Sequence, residues 1–151
     1  MTIYRERLWA SAGAFLATAL VIPASLLVFL PINFTVGIGV AAALYAGCAI
    51  LLVLASPAIE VTTEHFVAGR AKLPIRFAGE VTTYREPEAT AQRGPRLDAR
   101  AWLMIRGWVS PVVRIELTDA GDPTPYWLVS TRHPEKVAEA LAEAKTRTRR
   151  K

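Results

Sequence analysis

Charge is missing from more than a third of the chain: residues 8–59, which are 52 of the 151 positions, contain no Asp, Glu, Lys or Arg. A soluble domain rarely carries such a gap, so the interval reads as lipid-embedded. Cysteine is almost absent. Cys48, the single one, lies inside the uncharged interval, which excludes an intramolecular disulfide and a thiolate zinc site. Histidine occurs twice, at His65 and His133, with only Glu64 and Glu135 as nearby carboxylates. His133 reads as a helix cap and His65 as a turn residue, and neither reads as a metal ligand. There is no Gly-x-Ser-x-Gly and no glycine-rich phosphate loop, so Ser110, Ser130 and Thr131 lack a nucleophile's setting. Asp119 and Asp122 flank Ala120-Gly121 as a plain turn, without the further acidic ligands a calcium loop needs. No catalytic, cofactor-binding or metal-binding residue is nominated. The chain reads as a non-enzyme, with no cofactor and no evident small-molecule substrate. Its length also excludes a large multidomain enzyme and a polytopic transporter of ordinary size.

The formal net charge is +5, but it sits at the ends. Residues 58–144 carry 11 Lys and Arg against 12 Asp and Glu, whereas residues 145–151 carry five basic residues and no acidic one. A nucleic-acid-binding domain needs its basic stripe on the folded body, so nucleic acid is not an expected partner. Arg outnumbers Lys 14 to 4, which reads as the codon bias of a GC-rich bacterial genome. The basic tail either orients the chain on anionic lipid, at ~1 kcal/mol per basic residue near the surface, or frays as a solvated terminus.

A helix rises about 1.5 Å per residue and needs roughly 20 residues to cross about 30 Å of hydrocarbon. The uncharged interval therefore holds two spans, about 8–30 and 36–55, joined at Pro31-Ile32-Asn33-Phe34-Thr35 and closed by Ser56-Pro57. Tyr4 and Trp9 stand where interfacial aromatics belong. A cleaved signal peptide is the competing reading of the first span, with Arg5 and Arg7 as its n-region and Ala17-Thr18-Ala19 as a loose cleavage site. Against it, the apolar run is longer than an ordinary h-region, and the second span would remain after cleavage. Arg5 and Arg7 before the spans, Arg70 and Lys72 after them, and an uncharged turn put both ends on the cytoplasmic side. Pro23 predicts a kink. Gly39, Ala43 and Gly47 recur every fourth residue as a helix-packing face, with Gly13 and Ala17 as a shorter match. Such a face packs the two spans together or joins two copies, and packing within the hairpin is the simpler reading. Ser11, Thr18, Ser25, Tyr45 and Cys48 are the polar groups of the spans. None is ionised, so transport has no residue to rest on.

From residue 58 the pattern shortens to period two. Strands are predicted over 58–63, 66–67, 73–77 (weakened by Pro74), 79–84, 101–106, 112–118 and 126–130. Residues 85–100, with Pro87, Gly94 and Pro95, read as a polar loop holding at most one helical turn. A helix follows Pro134, with Val137, Ala138, Leu141 and Ala142 as its apolar stripe and Glu135, Glu139 and Glu143 outward. The expected fold class is thus an α+β membrane protein. An N-terminal flank and two-helix transmembrane hairpin occupy 1–57. A cytoplasmic β-rich domain with a C-terminal helix occupies 58–145, and the basic tail 146–151. The strand count fits a small antiparallel β-barrel or sandwich of the pleckstrin-homology-like plan.

Trp102, Trp108, Tyr126 and Trp127 crowd the last third. Adjacent Tyr126 and Trp127 face opposite sides of a strand. One ring then lies outside a barrel core, to be covered by the closing helix, a partner or lipid. Most of these rings read as core. The candidates for partner or lipid contact are Arg106, Trp108, Trp127, Arg132, Arg147, Arg149 and Arg150.

Four blocks carry a resemblance: Tyr4-Arg5-Glu6-Arg7-Leu8-Trp9, Arg70-Ala71-Lys72-Leu73-Pro74-Ile75-Arg76, Gly79-Glu80-Val81, and Asp122-Pro123-Thr124-Pro125-Tyr126-Trp127-Leu128-Val129-Ser130-Thr131-Arg132. Together they resemble the actinobacterial membrane protein family with domain of unknown function 3093 (DUF3093), from Tyr4 to about Ala144. The resemblance implies two N-terminal spans followed by a cytoplasmic β-rich domain, and it implies no activity. The expected role is a non-catalytic, membrane-anchored binding or adaptor domain of the bacterial plasma membrane, multi-pass with both termini cytoplasmic. Its expected partners are the lipid bilayer and another membrane protein or a second copy. The alternative is an accessory subunit of a larger membrane complex, recognised through its spans.

Overall fold

A computed structural model of the chain describes the backbone through Arg149 and side chains through Thr148. Arg150 and the Arg149 side chain, both nominated as contacts, lie outside the described residues. The chain divides into two units: Trp9–Ser56, and Met1–Leu8 together with the residues from Pro57 onward.

The first unit is a pair of apolar helical segments. Ser11 caps α1 (Ala12–Ala19), its hydroxyl accepting from the Ala14 N–H at 3.2 Å. Leu20 separates α1 from α2 (Val21–Phe29). The break falls where Pro23 requires it, because proline offers no N–H to the carbonyl four residues earlier, that of Ala19. Asn33 caps α3 (Phe34–Leu54), its side-chain oxygen accepting from the Val36 N–H at 3.1 Å. Residues Ala12–Phe29 and Phe34–Leu54 are each long and apolar enough to cross a membrane. Within the unit α2 meets α3 through small groups. Ser25, Gly37 and Ala41 are buried, and a Cβ on Gly37 would stand 2.9 Å from the Phe29 Cβ. Gly39 and Gly47 have nothing within 4 Å of such a Cβ, and Ala43 is exposed. The hairpin therefore packs on a different face of α3 from the one the four-residue recurrence nominated.

The second unit contains two four-stranded sheets. The first has the order β1 (Thr2–Arg7), β2 (Ala58–Thr62), β3 (His65–Ala68), β4 (Ala71–Pro74), and every pair is antiparallel. Residues read from the sequence as a flank thus form an edge strand. Arg7 pairs with Ala58, and the Leu8 N–H donates to the Pro57 carbonyl at 2.9 Å. Leu8 is fully buried in the core of this unit. Between β3 and β4 the chain turns on Gly69 and Arg70, and Gly69 has φ +61°. A two-residue hairpin turn of this kind takes glycine first because a side chain is strained there. After β4 the run predicted to reach residue 77 ends at Pro74 and tightens into a 3₁₀ turn, Ile75–Phe77.

The second sheet has the order β5 (Ala78–Tyr84), β7 (Val112–Leu117), β8 (Tyr126–Ser130), β6 (Trp102–Met104). β8 lies between β6 and β7, so β6 runs parallel to β8 while the other pairs are antiparallel. Of the antiparallel barrel or sandwich expected, the closed barrel does not form. The strands stay as two separate sheets, and one pair is parallel.

The main core alternates as period two demands. Ile59 and Val61 of β2, Phe66 and Ala68 of β3, and Val113 and Ile115 of β7 point into it. α5 (Pro134–Arg149) adds Val137, Ala140, Leu141 and Ala144. The stripe is i, i+3, i+4, i+7, so Ala140 and Ala144 replace the predicted Ala138 and Ala142. Among alanines hydropathy does not mark the inward one. The first turn of α5 is tied down by a two-pronged Arg85–Glu135 pair at 2.8 and 2.7 Å. The hydrogen bonds from Arg85 pull the Glu135 carboxyl down to about 2.

β8 is buried at all five positions. Trp127 faces the main core, stacked on Trp102 with ring centroids 4.1 Å apart. Tyr126 faces a second cluster with Ala89, Val112 and Leu128. The stretch read as a polar loop supplies the cover: α4 (Glu88–Arg93) contributes Ala89, Leu97 packs alongside, and the Asp98 N–H donates to the Tyr126 hydroxyl at 2.8 Å. The closing helix, a partner and lipid are therefore all unnecessary to bury the second ring.

Replacing Trp9–Ser56 by a short Gly/Ser linker is expected to give a water-soluble monomer that unfolds cooperatively in urea. In that background Leu8→Ala should cost about 2–5 kcal/mol, as a buried leucine truncation does. An insoluble product, or a Leu8→Ala variant of unchanged stability, would contradict the placement of Met1–Leu8 in this unit.

Candidate functional site

Most of the aromatic and arginine residues nominated as contacts are engaged inside the fold. Trp127 is in the core and has no outward surface to offer. Trp108 is half-buried, and its indole N–H donates to the Leu8 carbonyl at 3.2 Å. The Arg106 backbone N–H donates to the Ser130 hydroxyl at 3.0 Å, and its guanidinium reaches the Ile105 carbonyl at 2.8 Å. The Arg132 backbone N–H is held by Glu6 at 3.0 Å.

That last contact belongs to a clasp centred on Glu6, whose side chain is only 9% exposed. Its Oε2 accepts from the Thr131 hydroxyl at 2.6 Å and from the Tyr4 phenol at 3.1 Å. Its Oε1 accepts from the Arg132 N–H, with His133 Nδ1 3.8 Å away. Burial and the adjacent carboxylate hold the Tyr4 phenol well above its ordinary range. The clasp joins β1 to the segment entering α5. His133 stands at the start of that helix as expected, with its carbonyl accepting from the Val137 N–H at 3.2 Å. Glu6 was not nominated from the sequence, where a carboxylate between two arginines reads as a solvated flank. Its one signal was its place in the first resembling block, which the clasp brings against the last. Glu6→Ala is expected to destabilise the fold by about 2–4 kcal/mol, because it strips a buried amide and hydroxyl of their charged acceptor. Glu6→Gln should cost less, and urea unfolding of the two variants checks the order.

An open cleft of about 730 Å³ lies where the β2–β3 turn, the end of β4 and the end of α5 converge. Its lining includes Thr63, Glu64, His65, Arg76, Arg147 and Thr148. Arg147 is steadied by Glu143 one helical turn earlier, at 2.6 Å. The Thr148 hydroxyl donates to the Thr63 carbonyl at 3.1 Å, which joins α5 to the turn. The Arg76 guanidinium lies 4.6 Å from the Phe77 ring centroid. A smaller hollow of about 240 Å³ shares Arg76 and Thr148 and adds Lys145, whose ammonium donates to the Gly79 carbonyl. Of the nominated contacts among the described residues, Arg147 lines this cleft. His65 joins it from β3 and Arg76 from the 3₁₀ turn after β4, and no spacing rule links them to residue 147. Among the described residues no group of three His, Cys, Asp or Glu gathers as a metal site would require.

No curated protein and no solved structure matches the chain. The family model described as Protein of unknown function (DUF3093) matches residues 3–141. The match takes in β1, both apolar segments, both sheets and the first half of α5, including His65 and Arg76 but stopping short of Arg147. On a match spanning nearly its whole length, the chain belongs to the DUF3093 family.

Proposed function

We propose that the chain is a non-catalytic binding domain anchored in the bacterial plasma membrane by a two-span hairpin, with both termini in the cytoplasm. The observation that carries this reading is the pairing of β1 with β2. The apolar segments are an insertion between two adjacent strands, so the chain that leaves at Leu8 returns beside it at Pro57. Paired strands must lie on one side of a bilayer, which demands an even number of crossings. The same pairing weighs against a cleaved signal peptide, because cleavage near Ala19 would remove an edge strand, the buried Leu8 and the Glu6 clasp. Exposure supports lipid as the solvent of the hairpin: Leu16, Leu27 and Leu54 are each more than 70% exposed, which water does not tolerate over two whole helices. The cytoplasmic orientation rests on Arg5, Arg7, Arg70 and Lys72 flanking the spans. Two sheets closed by a C-terminal helix agree with a pleckstrin-homology-like plan, from which the parallel β6–β8 pair departs. The non-catalytic part rests on the missing nucleophile–base pair in the sequence.

A second reading, an accessory subunit recognised through its spans, is favoured by one observation. Gly39 and Gly47 have no neighbour in the hairpin, so the face they share with Ala43 is open to another helix, from a second copy or another membrane protein.

Three measurements test these readings. Alkaline carbonate should leave the full chain in the membrane pellet, and protease should reach the N-terminal strand and the sheets only from the cytoplasmic side. Release by carbonate, or cleavage of the two regions from opposite sides, would overturn the anchored reading. For the second reading, Gly39→Leu with Gly47→Leu should abolish helix-mediated co-purification while leaving the hairpin folded, whereas Gly37→Leu should damage the hairpin itself. Co-purification that survives the double substitution would remove that idea.

A further inference from the structure

Resting on the binding-domain reading, we propose that the cleft between the first sheet and the end of α5 binds a soluble phosphate-bearing anion, with Arg76 and Arg147 as its two guanidinium contacts. The volume, about 730 Å³, lies in the ordinary range for small-ligand sites. Two arginines from different elements face it, Arg76 following β4 and Arg147 on α5. Arginine's planar fork matches phosphoryl oxygens two at a time. Arg76 and the His65 ring have no carboxylate partner among the described residues, so neither must break an ion pair to receive an anion. Arg147 spends part of its five-donor fork on Glu143 and on the Met1 Sδ, and keeps the remaining donors for a ligand. Among the described residues, Glu64 is the one carboxylate in the lining.

The source of the anion follows from the register of the first sheet. Thr2 pairs with Thr62 at the cleft end, and Arg7 pairs with Ala58 at the other. Both connections to the apolar segments leave from that other end, five residues along the strand, or about 16 Å at the usual strand rise. The cleft therefore opens at the end of the sheet opposite its connections to the apolar segments, which favours a solute as the source of the anion. A ligand with two phosphoryl groups engages both arginines and ties α5 to the first sheet.

The test uses the full chain in nanodiscs of zwitterionic lipid at 0.15 M salt, titrated with inorganic pyrophosphate by calorimetry. Saturable one-to-one binding is expected. Arg76→Ala and Arg147→Ala should each weaken it at least tenfold, Arg76→Lys should weaken it less than Arg76→Ala, and Glu64→Gln should tighten it severalfold. The tightening variant separates a ligand effect from loss of folding. Absence of saturable binding, arginine variants that bind as wild type does, or a Glu64→Gln variant that binds more weakly would overturn the proposal. So would pyrophosphate-independent binding confined to vesicles containing phosphatidylglycerol, since that identifies a headgroup site. These outcomes are independent of carbonate extraction and protease accessibility, which decide whether the anchored reading stands.

Discussion

The antiparallel ladder between Thr2–Arg7 and Ala58–Thr62 is the contact on which the rest of the molecule depends. It joins strands separated in sequence by the whole apolar insertion. Without it, Ile59 and Val61 would belong to an edge strand, Leu8 would leave a hole in the core, and Glu6 would have no route to Thr131 and Arg132. The ladder also restricts what the apolar segments can do. Segments that begin and end beside one pair of strands return the chain to its starting side, and two crossings satisfy that where one does not.

The second constraint is that β8 is buried on both faces. A five-residue strand carrying Tyr126 and Trp127 side by side needs cover above and below. Sheet and α5 provide one cover, while α4 and the stretch through Leu97 provide the other. The Tyr126 ring also carries the Arg114 guanidinium at 4.0 Å, so a charged group roofs part of that smaller cluster. The residues that crowd the last third are thus mostly structural, while Arg76 and Arg147 stay exposed where they line the cleft.

How much of this was legible in the sequence varies with the physics of each element. The apolar helices are plain in the missing charge and the kink in Pro23, because each is a local effect, whereas Asn33, which reads as a turn residue, caps α3. Strands 58–62, 78–84 and 112–117 stand out by alternation, and 126–130 by a short apolar run bounded by turn residues. β1 does not: Tyr4-Arg5-Glu6-Arg7 alternates charge with charge, and its strand character comes from a partner more than fifty residues away. α4 was hidden because Ala89 is a small residue among polar ones, and its value lies in the Tyr126 ring it covers. The packing face of the hairpin was misjudged for a related reason. Small residues recur on two faces of α3, and only the position of Phe29 selects Gly37 over Gly39. The cleft could not be read at all, since its basic residues come from β3, from the turn after β4 and from α5, and tertiary folding alone assembles them.

The central claim is that the N-terminal strand pairs with the strand following the apolar segments, in the membrane-bound protein, with both on one side. It is tested most directly by cross-linking the ladder. Arg5 stands opposite Glu60, and opposed Cα atoms in an antiparallel pair lie about 4.5–5.5 Å apart, within disulfide range. In a Cys48→Ala background, Arg5→Cys with Glu60→Cys should form an intramolecular disulfide in native membranes on mild oxidation. Two thiols that both react with a soluble maleimide but never join each other would contradict the account.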